Sequence, residues 1–261
     1  MRRGAGPEAS VLRANLRRAM GHGATEAEID KAVVDAYDSY AHYWVEGARL
    51  ATISPREVLR RFSVAGFEPL RDALEAGNGA ILALAHLGSW EFGGYWLTLQ
   101  GFPMVTVAEP VQPPELYRWF SRQRELMGLT IVPFGQETTG QLVRALRSGR
   151  LVGLLCDRDL VGNGVEVDFF GEKTTLPAGP AVLSLRTGAP VFPAAVYQDR
   201  HGFHRGVICP PVRYERTGRL RDDVVAFTAL VARDIERLIA RAPEQWHVFQ
   251  PNWPAERPPR R

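Results

Sequence analysis

The stretch that decides the fold is Ala80-Ile81-Leu82-Ala83-Leu84-Ala85-His86-Leu87-Gly88-Ser89-Trp90-Glu91. It begins as a continuous apolar run of strand length, and the apolar residues after Gly88 recur at helical spacing. This pattern predicts a buried strand ending at His86, a turn, and a helix with Glu91 in its first turn. Ligands and chemistry collect at the carboxyl ends of strands in open α/β sheets. We therefore predict that His86 is a general base and that Glu91 is the carboxylate that orients it.

From residue 64 onward, apolar runs of strand length alternate with segments of helix length, which favours a mixed sheet with crossover helices. Further strands are predicted at 104–108, 130–132, 151–156, 165–170, 190–197 and 203–208, the last two as an antiparallel pair. Helices are predicted at 8–20, 26–50, 55–62, 68–76, 114–127, 139–147, 178–186 and 221–241. The predicted fold class is α/β, with a central mixed, mostly parallel sheet flanked by helices.

The chain is predicted to form a single domain over residues 1–261, because no change of composition marks a linker. Residues 1–62 form its helical N-terminal part. The aromatic segment 246–253 is expected to pack against the domain, whereas the proline-rich and charged segment 254–261 is expected to be a free tail.

Charged residues follow two more of the predicted strands. Glu109 comes directly after one strand, and Asp157, Arg158 and Asp159 come directly after another. Because the carboxyl ends of parallel strands meet at one edge of a sheet, we expect these side chains to lie near His86.

Composition limits the classes of function. The 261 residues are 45% hydrophobic with a formal net charge of +3, and Lys31 and Lys173 are the only lysines among 32 basic residues. The arginine excess suits phosphate recognition, and no nucleic-acid partner is expected. Cys156 and Cys209 have neither metal-ligand spacing nor a disulfide framework, which favours a reducing compartment. No apolar run reaches the length of a transmembrane helix and no leader is recognisable, so the chain is predicted to be neither spanning nor secreted.

Two other chemistries fit the sequence less well. A zinc site needs paired histidines or clustered cysteines, which the His86 motif lacks, so no metal is expected. A serine hydrolase would use Ser89, but its surroundings lack the second glycine of a nucleophile elbow, and Ser89 is explained as a helix cap.

Several motifs, taken in order, resemble the bacterial late acyltransferases of lipid A synthesis. The Thr106–Glu109 run and the closing Trp246–Pro251 segment look more like one branch of that family, the phosphatidylinositol mannoside acyltransferases. The remaining motifs are His86 to Glu91, the arginine-bearing helix before Gly128, Asp157-Arg158-Asp159, Val167-Asp168-Phe169-Phe170-Gly171 and Thr187-Gly188-Ala189-Pro190-Val191.

The resemblance implies transfer of a fatty acyl group from a thioester, acyl-CoA in the mannoside branch, to a sugar hydroxyl of a membrane glycolipid. His86 would remove the hydroxyl proton, and Glu91 would hold His86 in place. The charged positions around the groove would bind the acceptor sugar or headgroup: Glu109, Arg124, Asp157, Arg158 and Asp159. A thioester is already activated, so neither a cofactor nor a covalent nucleophile is required. The acyl chain would need an apolar tunnel, for which the aromatic helix after Glu91 is a candidate.

The resemblance further implies a peripheral enzyme on the cytoplasmic face of the plasma membrane. Family members usually begin with another apolar or amphipathic helix, whereas this chain begins inside what resembles the second helical segment. We expect either that its start is truncated or that the remaining helices and arginines dock on the membrane surface.

Three alternatives remain open at the level of sequence. The first is a lipid A type acyltransferase that takes its acyl group from acyl carrier protein. The second is a lipid-binding protein without turnover, and the third is a thioesterase that uses water as its acceptor.

Overall fold

The computed structural model describes residues 7–109, 112–159 and 161–256. The N-terminal part consists of α1 (Pro7–Met20), α2 (Glu26–Leu50) and α3 (Pro55–Arg61). A capping box starts α2: the Thr25 side chain accepts from the Glu28 N–H, and the Glu28 carboxylate accepts from the Thr25 N–H at 2.7 Å. The helices predicted at 8–20 and 26–50 are thereby confirmed.

The remaining elements alternate as predicted. The strands and helices in chain order are β1 (Phe62–Ala65), α4 (Glu68–Glu75), β2 (Ala80–Gly88), α5 (Trp90–Leu99), β3 (Met104–Ala108), α6 (Pro114–Leu126), β4 (Thr130–Pro133), α7 (Thr138–Arg147), β5 (Leu151–Leu155), β6 (Val165–Phe169), β7 (Glu172–Leu176), α8 (Gly179–Thr187), β8 (Val191–Gln198), β9 (His204–Ile208) and α9 (Leu220–Ile239).

Seven strands form the central sheet, in the order β1-β9-β8-β2-β5-β3-β4. The β8–β9 pair is antiparallel and every other neighbouring pair in this sheet is parallel, which confirms the mixed, mostly parallel sheet. The hairpin of β6 and β7 lies outside it. Because β2, β5 and β3 are adjacent and parallel, the end of β2, which contains His86, shares one edge with the strand ends that precede Asp157 and Glu109.

The two faces of β2 contact different cores, because successive side chains of a strand point to opposite sides. Ile81, Ala83 and Ala85 pack in the core that also contains α8 and α9. Leu82 and Leu84 pack in the second core, which contains α4 and α5.

The structure departs from the sequence prediction at several places. Glu172–Leu176 is the strand β7, where no strand was predicted; Glu172 and Lys173 are exposed and the buried Thr174 is polar, so the strand lacks an apolar run. β2 continues to Gly88, past the predicted end at His86. Trp246 and Trp253 are buried, as expected for the aromatic segment.

Pro254–Glu256 form a 3-10 turn, and Glu256 forms an ion pair with Arg18 at 2.6 Å, so the first part of the predicted tail is held against α1. The rest of that tail, residues 257–261, and the first six residues of the predicted domain lie outside the described residues. In the described part of the chain, no helix is both long enough and apolar enough to cross a membrane.

Candidate active site

His86 and Asp157 form a hydrogen-bonded pair at the carboxyl edge of the sheet. His86 Nδ1 lies 2.7 Å from Asp157 Oδ1, and the His86 N–H donates to Asp157 Oδ2 at 3.0 Å. The His86 side chain is 22% exposed, whereas the Asp157 side chain is fully buried. The pair therefore presents an accessible imidazole that is backed by a buried carboxylate.

The register of the sheet explains this pairing. Leu84 of β2 lies beside Leu155 of β5 in parallel alignment. Two residues further along each chain, His86 and Asp157 reach the same level. Their side chains meet there, with Nδ1 of His86 beside Oδ1 of Asp157.

Asp157 is ionised and held from several directions. Burial by itself would raise the pKa of this carboxyl, but the charge of His86 and hydrogen bonds from His86 and Trp246 lower the Asp157 pKa to about 2. An ionised Asp157 can only accept hydrogen bonds, so Nδ1 of His86 carries a hydrogen and donates it. Nε2 of the neutral ring is then left with the lone pair that a general base requires.

The predicted contact between Glu91 and His86 is wrong, since Asp157 is the carboxylate that hydrogen-bonds the ring. Glu91 Oε1 instead accepts from Tyr43 Oη at 2.9 Å and from Arg124 at 3.0 Å. Glu91 is in the first turn of α5, where its carboxylate meets α2 and α6 rather than the neighbouring strand. A role for Glu91 in the reaction stays a prediction, and its observed partners are Arg124 and Tyr43 rather than His86.

The Glu91–Arg124 pair is largely removed from water, with side-chain exposures of 9% and 19%. Burial opposes the charge on Arg124, but the charge of Glu91 raises the Arg124 pKa above its ordinary value. Burial and the same carboxylate raise the pKa of the Tyr43 hydroxyl well above its usual range. Glu91 Oε2 and Arg124 Nε are buried and have no hydrogen-bond partner among the described residues.

The other predicted binding residues differ in their surroundings. Glu109 is exposed immediately after β3. Arg158 donates to Gln250 Oε1 at 2.8 Å. Asp159 accepts from the N–H groups of Gly162 and Gly164 at 2.7 and 3.0 Å, and so holds the turn that leads to β6. Their predicted roles in acceptor binding remain predictions.

Sequence reasoning missed the contributions of α2 and the closing segment to this site. Tyr43 was not singled out, and His247 was expected only to pack as part of the aromatic segment 246–253. In the structure the N–H of His247 donates to the His86 carbonyl at 2.7 Å, and its ring lies 5.3 Å from that of Tyr43. A spacing pattern within one helix cannot reveal such contacts, because the partners are far apart in the sequence.

An apolar pocket that opens to solvent lies in the second core, on one face of the sheet, and its empty space is about 390 Å³ with that solvent included. Two of the residues that line it, Leu84 and Trp90, are close to His86 in the sequence. Gly93 and Gly206 allow close packing at this pocket, because a Cβ at either position would approach a side-chain carbon of Val196 or Phe62 to 2.7 Å. The remaining lining residues are Phe62, Val64, Leu82, Gly94, Trp96, Leu97, Met104, Ala194, Ala195, Val196 and Ile208.

Comparison with known proteins agrees with this architecture. A model of the bacterial lipid A biosynthesis acyltransferases matches residues 3–255. The chain therefore belongs to this family and is an acyltransferase.

Among curated relatives, it is 37% identical to a phosphatidylinositol mannoside acyltransferase of Mycolicibacterium smegmatis, over 97% of this chain and 82% of the relative. It is 38% identical to the protein of that name in Mycobacterium tuberculosis, over 96% and 78% of the two chains. A lipid A biosynthesis acyltransferase of Haemophilus influenzae is 27% identical, over 89% and 71%. Identity is thus higher to these mannoside acyltransferases than to the lipid A enzyme.

Proposed function

We propose that this acyltransferase moves a long-chain acyl group from acyl-CoA to a sugar hydroxyl of a membrane glycolipid, with a phosphatidylinositol mannoside as acceptor. The observation that carries the proposal is the His86–Asp157 pair, an exposed imidazole with a buried carboxylate at the edge of the sheet. The names of the mycobacterial relatives support the choice of acceptor.

The proposed reaction uses His86 as its general base. Nε2 of His86 takes the proton of the sugar hydroxyl while the oxygen attacks the thioester carbonyl, so that an ester C–O bond forms and the C–S bond breaks. The proton held by His86 then passes to the departing thiolate. Asp157 stabilises the imidazolium between these steps and keeps Nε2 toward the substrate.

Glu91, Arg124 and Glu109 are proposed to bind the acceptor. The buried Oε2 of Glu91 can accept a hydrogen bond from a sugar hydroxyl, and the buried Nε of Arg124 can donate one. Because both atoms lack partners among the described residues, a bound hydroxyl would restore hydrogen bonds that the protein alone does not make.

The cavity beside α5 is proposed to receive the acyl chain. It is lined by aliphatic and aromatic side chains, which favour a hydrocarbon over water. Leu84 lines it two residues before His86, so an acyl chain in the cavity would leave its carbonyl near the base.

Docking on the membrane is proposed to involve an aromatic patch formed by Trp44 of α2 with Leu116 and Trp119 of α6. These side chains are 40%, 38% and 39% exposed, and Trp44 and Trp119 are both within ring-contact distance of Phe120. Arg118 and Arg122 are exposed on the same helix. Aromatic side chains beside arginines suit the headgroup region of an anionic leaflet, here on the cytoplasmic face of the plasma membrane.

The test is transfer of radiolabelled palmitate to purified phosphatidylinositol mannoside, with acyl-CoA and acyl carrier protein compared as donors. We expect transfer from acyl-CoA, and a loss of about 10²-fold or more in His86→Ala, as for removal of a general base. The exposed His201→Ala provides the matched control and should retain full activity.

Each alternative gives a different result in the same assay. Transfer from acyl carrier protein alone would indicate a lipid A type donor. Release of fatty acid at the full rate without acceptor would indicate a thioesterase. Bound lipid without any transfer, or full activity in His86→Ala, would contradict the proposal.

A further inference from the structure

The segment Trp246–Asn252, here the closing segment, joins the two strand ends that supply the His86–Asp157 pair. At the β2 end, Trp246 forms an antiparallel bridge with Leu87, and the His247 N–H donates to the His86 carbonyl at 2.7 Å. At the β5 end, Asn252 Nδ2 donates to the Asp157 carbonyl at 2.9 Å. The closing segment thus contacts the backbone on both sides of the pair.

The Trp246 side chain contacts the carboxylate itself. Its indole Nε1–H donates to Asp157 Oδ2 at 2.7 Å, and its ring is 1% exposed. Asp157 Oδ2 also accepts from the His86 N–H, while Oδ1 faces the imidazole. The two donors at Oδ2 fix the rotation of the carboxylate and hence the direction from which Oδ1 meets Nδ1.

We propose that Trp246 is a positioning residue for acyl transfer, whose indole N–H holds Asp157 so that Asp157 can orient His86. This inference rests on the proposed function, because it concerns how the general base of that reaction is aligned. Trp246 contacts neither substrate nor reacting atom in this proposal and acts entirely through Asp157.

Other titratable groups beside the pair are uncharged near neutral pH. Burial, with the charge of His86 adding to it, lowers the pKa of His247 to about 3. Burial raises the pKa of the Cys156 thiol, and the charge of Asp157 raises it further. Neither His247 nor Cys156 therefore supplies a charge at the pair, and the Asp157 carboxylate accepts its hydrogen bonds from Trp246 and His86.

The chain supplies a matched control for the indole N–H. Trp253 is also 1% exposed and lies 6.4 Å from the ring of Trp246. Its Nε1, however, has no hydrogen-bond partner among the described residues. Trp246→Phe and Trp253→Phe therefore each replace a buried indole ring with a phenyl ring. Of the two, Trp246→Phe alone removes a hydrogen bond to Asp157.

The experiment compares kcat and KM for palmitoyl transfer in the full-length wild type and these two variants. We expect Trp246→Phe to lower kcat by about 10-fold or more, since it removes a charge-assisted hydrogen bond. The KM for palmitoyl-CoA and the KM for the acceptor should stay as in the wild type. Trp253→Phe should keep the wild-type kcat. In an Asp157→Asn background, Trp246→Phe should have no further effect, because no carboxylate remains to be aligned.

A second readout does not depend on turnover. The hydrogen-bonded Nδ1 proton of His86, assigned by its loss in His86→Gln, should shift in the NMR spectrum of Trp246→Phe and stay in place in Trp253→Phe. Should Trp246→Phe not fold, 3-benzothienylalanine at position 246 replaces the N–H with sulfur and keeps both fused rings.

The outcomes separate the two proposals. Equal kcat values in Trp246→Phe and Trp253→Phe, in a wild type that shows His86-dependent transfer, would overturn the role of Trp246 and leave the proposed function standing. A wild type without acyl transfer would overturn both.

Discussion

At the scale of single residues, Arg124 is the counter-ion of a carboxylate that is almost entirely removed from solvent. Its guanidinium also lies 5.1 Å from the ring of Trp90. Arg124→Ala would leave Glu91 charged, buried and without its cation, which costs about 3 kcal/mol of unfolding free energy. Urea denaturation of the variant measures this loss.

Arg122 provides the control for that substitution, since it lies on the same helix but is 68% exposed. Arg122→Ala should change the unfolding free energy by less than about 0.5 kcal/mol. Adding Glu91→Gln to Arg124→Ala should recover part of the loss, because it removes the unpaired charge. Equal destabilisation by Arg122→Ala and Arg124→Ala would contradict this account.

His247 makes the stability of the protein depend on pH. Burial lowers its pKa from the ordinary 6.5 to about 3, so at pH 5 the unfolded chain binds a proton at this position and the folded chain does not. The folded state should therefore lose about 1.4 kcal/mol per pH unit as the pH falls below 6.5. The pKa of Asp157 is about 2 in the folded state and 3.8 ordinarily, so Asp157 changes the free energy of unfolding only below about pH 3.8. This range lies outside the range between pH 7 and 5 in which His247 acts.

His247→Gln should flatten this dependence between pH 7 and 5, as measured by urea unfolding. His201→Gln is the control, because His201 is exposed and should leave the slope as in the wild type. A wild-type slope in His247→Gln would show that another group is responsible.

The sequence could identify His86 but could not identify its partner. His86 was recognisable because an apolar run ends at it and a helix follows. Glu91 is close to it in sequence, whereas Asp157 is 71 residues away and meets it only through the β2–β5 register. Register between non-consecutive strands depends on the complete sheet, so a local pattern pointed to the wrong carboxylate.

At the scale of elements, α6 is an amphipathic helix of which no described residue is fully buried. If the aromatic patch enters a lipid headgroup layer, replacing Trp44 and Trp119 together with serine should weaken binding to vesicles with anionic phospholipid by about 10-fold or more. Vesicle flotation measures the bound fraction, and added salt should weaken the remaining binding.

Leu220 and Val225, which lie on α9 and not on α2 or α6, provide the control. They are 62% and 38% exposed on α9, so their joint replacement by serine removes similar apolar surface. This second pair should leave vesicle binding unchanged. Equal effects of the two pairs would indicate that the aromatic patch has no particular role in docking.

Element positions followed closely from the sequence wherever apolar periodicity was strong. β3 was predicted at its observed bounds, since Met104–Ala108 is an apolar run with a defined end. β7 was missed because Glu172–Leu176 is mostly polar and pairs with β6 at the surface. Thr174 and Leu176 of this strand are buried, but a pattern of apolar residues does not recognise a buried threonine.

At the scale of the whole molecule, the sheet separates two hydrophobic cores, and the pocket proposed for the acyl chain lies in the second. The first core includes α8, α9 and the buried rings of the closing segment, which contact the His86–Asp157 pair. The second core includes α4 and α5 and contains the apolar pocket described above. The rings that hold the His86–Asp157 pair and the pocket proposed for the acyl chain thus belong to different cores.

This division predicts that the length of the transferred acyl chain can be changed without loss of the fold. Ala194 lines the cavity from β8 and is buried in the second core. Ala194→Leu adds three carbons at this pocket, and we expect the domain to remain folded with a stability change of about 1–3 kcal/mol at most. A shorter cavity should exclude palmitate while still admitting a butyryl group.

The measurement is the ratio of kcat/KM for palmitoyl-CoA to that for butyryl-CoA in wild type and Ala194→Leu. Transfer of the short chain serves as the internal control, because it reports that the His86–Asp157 pair and the acceptor site are intact. We expect the ratio to fall by about 10-fold or more, since each methylene that loses its apolar surroundings costs about 0.8 kcal/mol. An unchanged ratio in a folded variant would place the acyl chain elsewhere and leave the cavity as a packing defect.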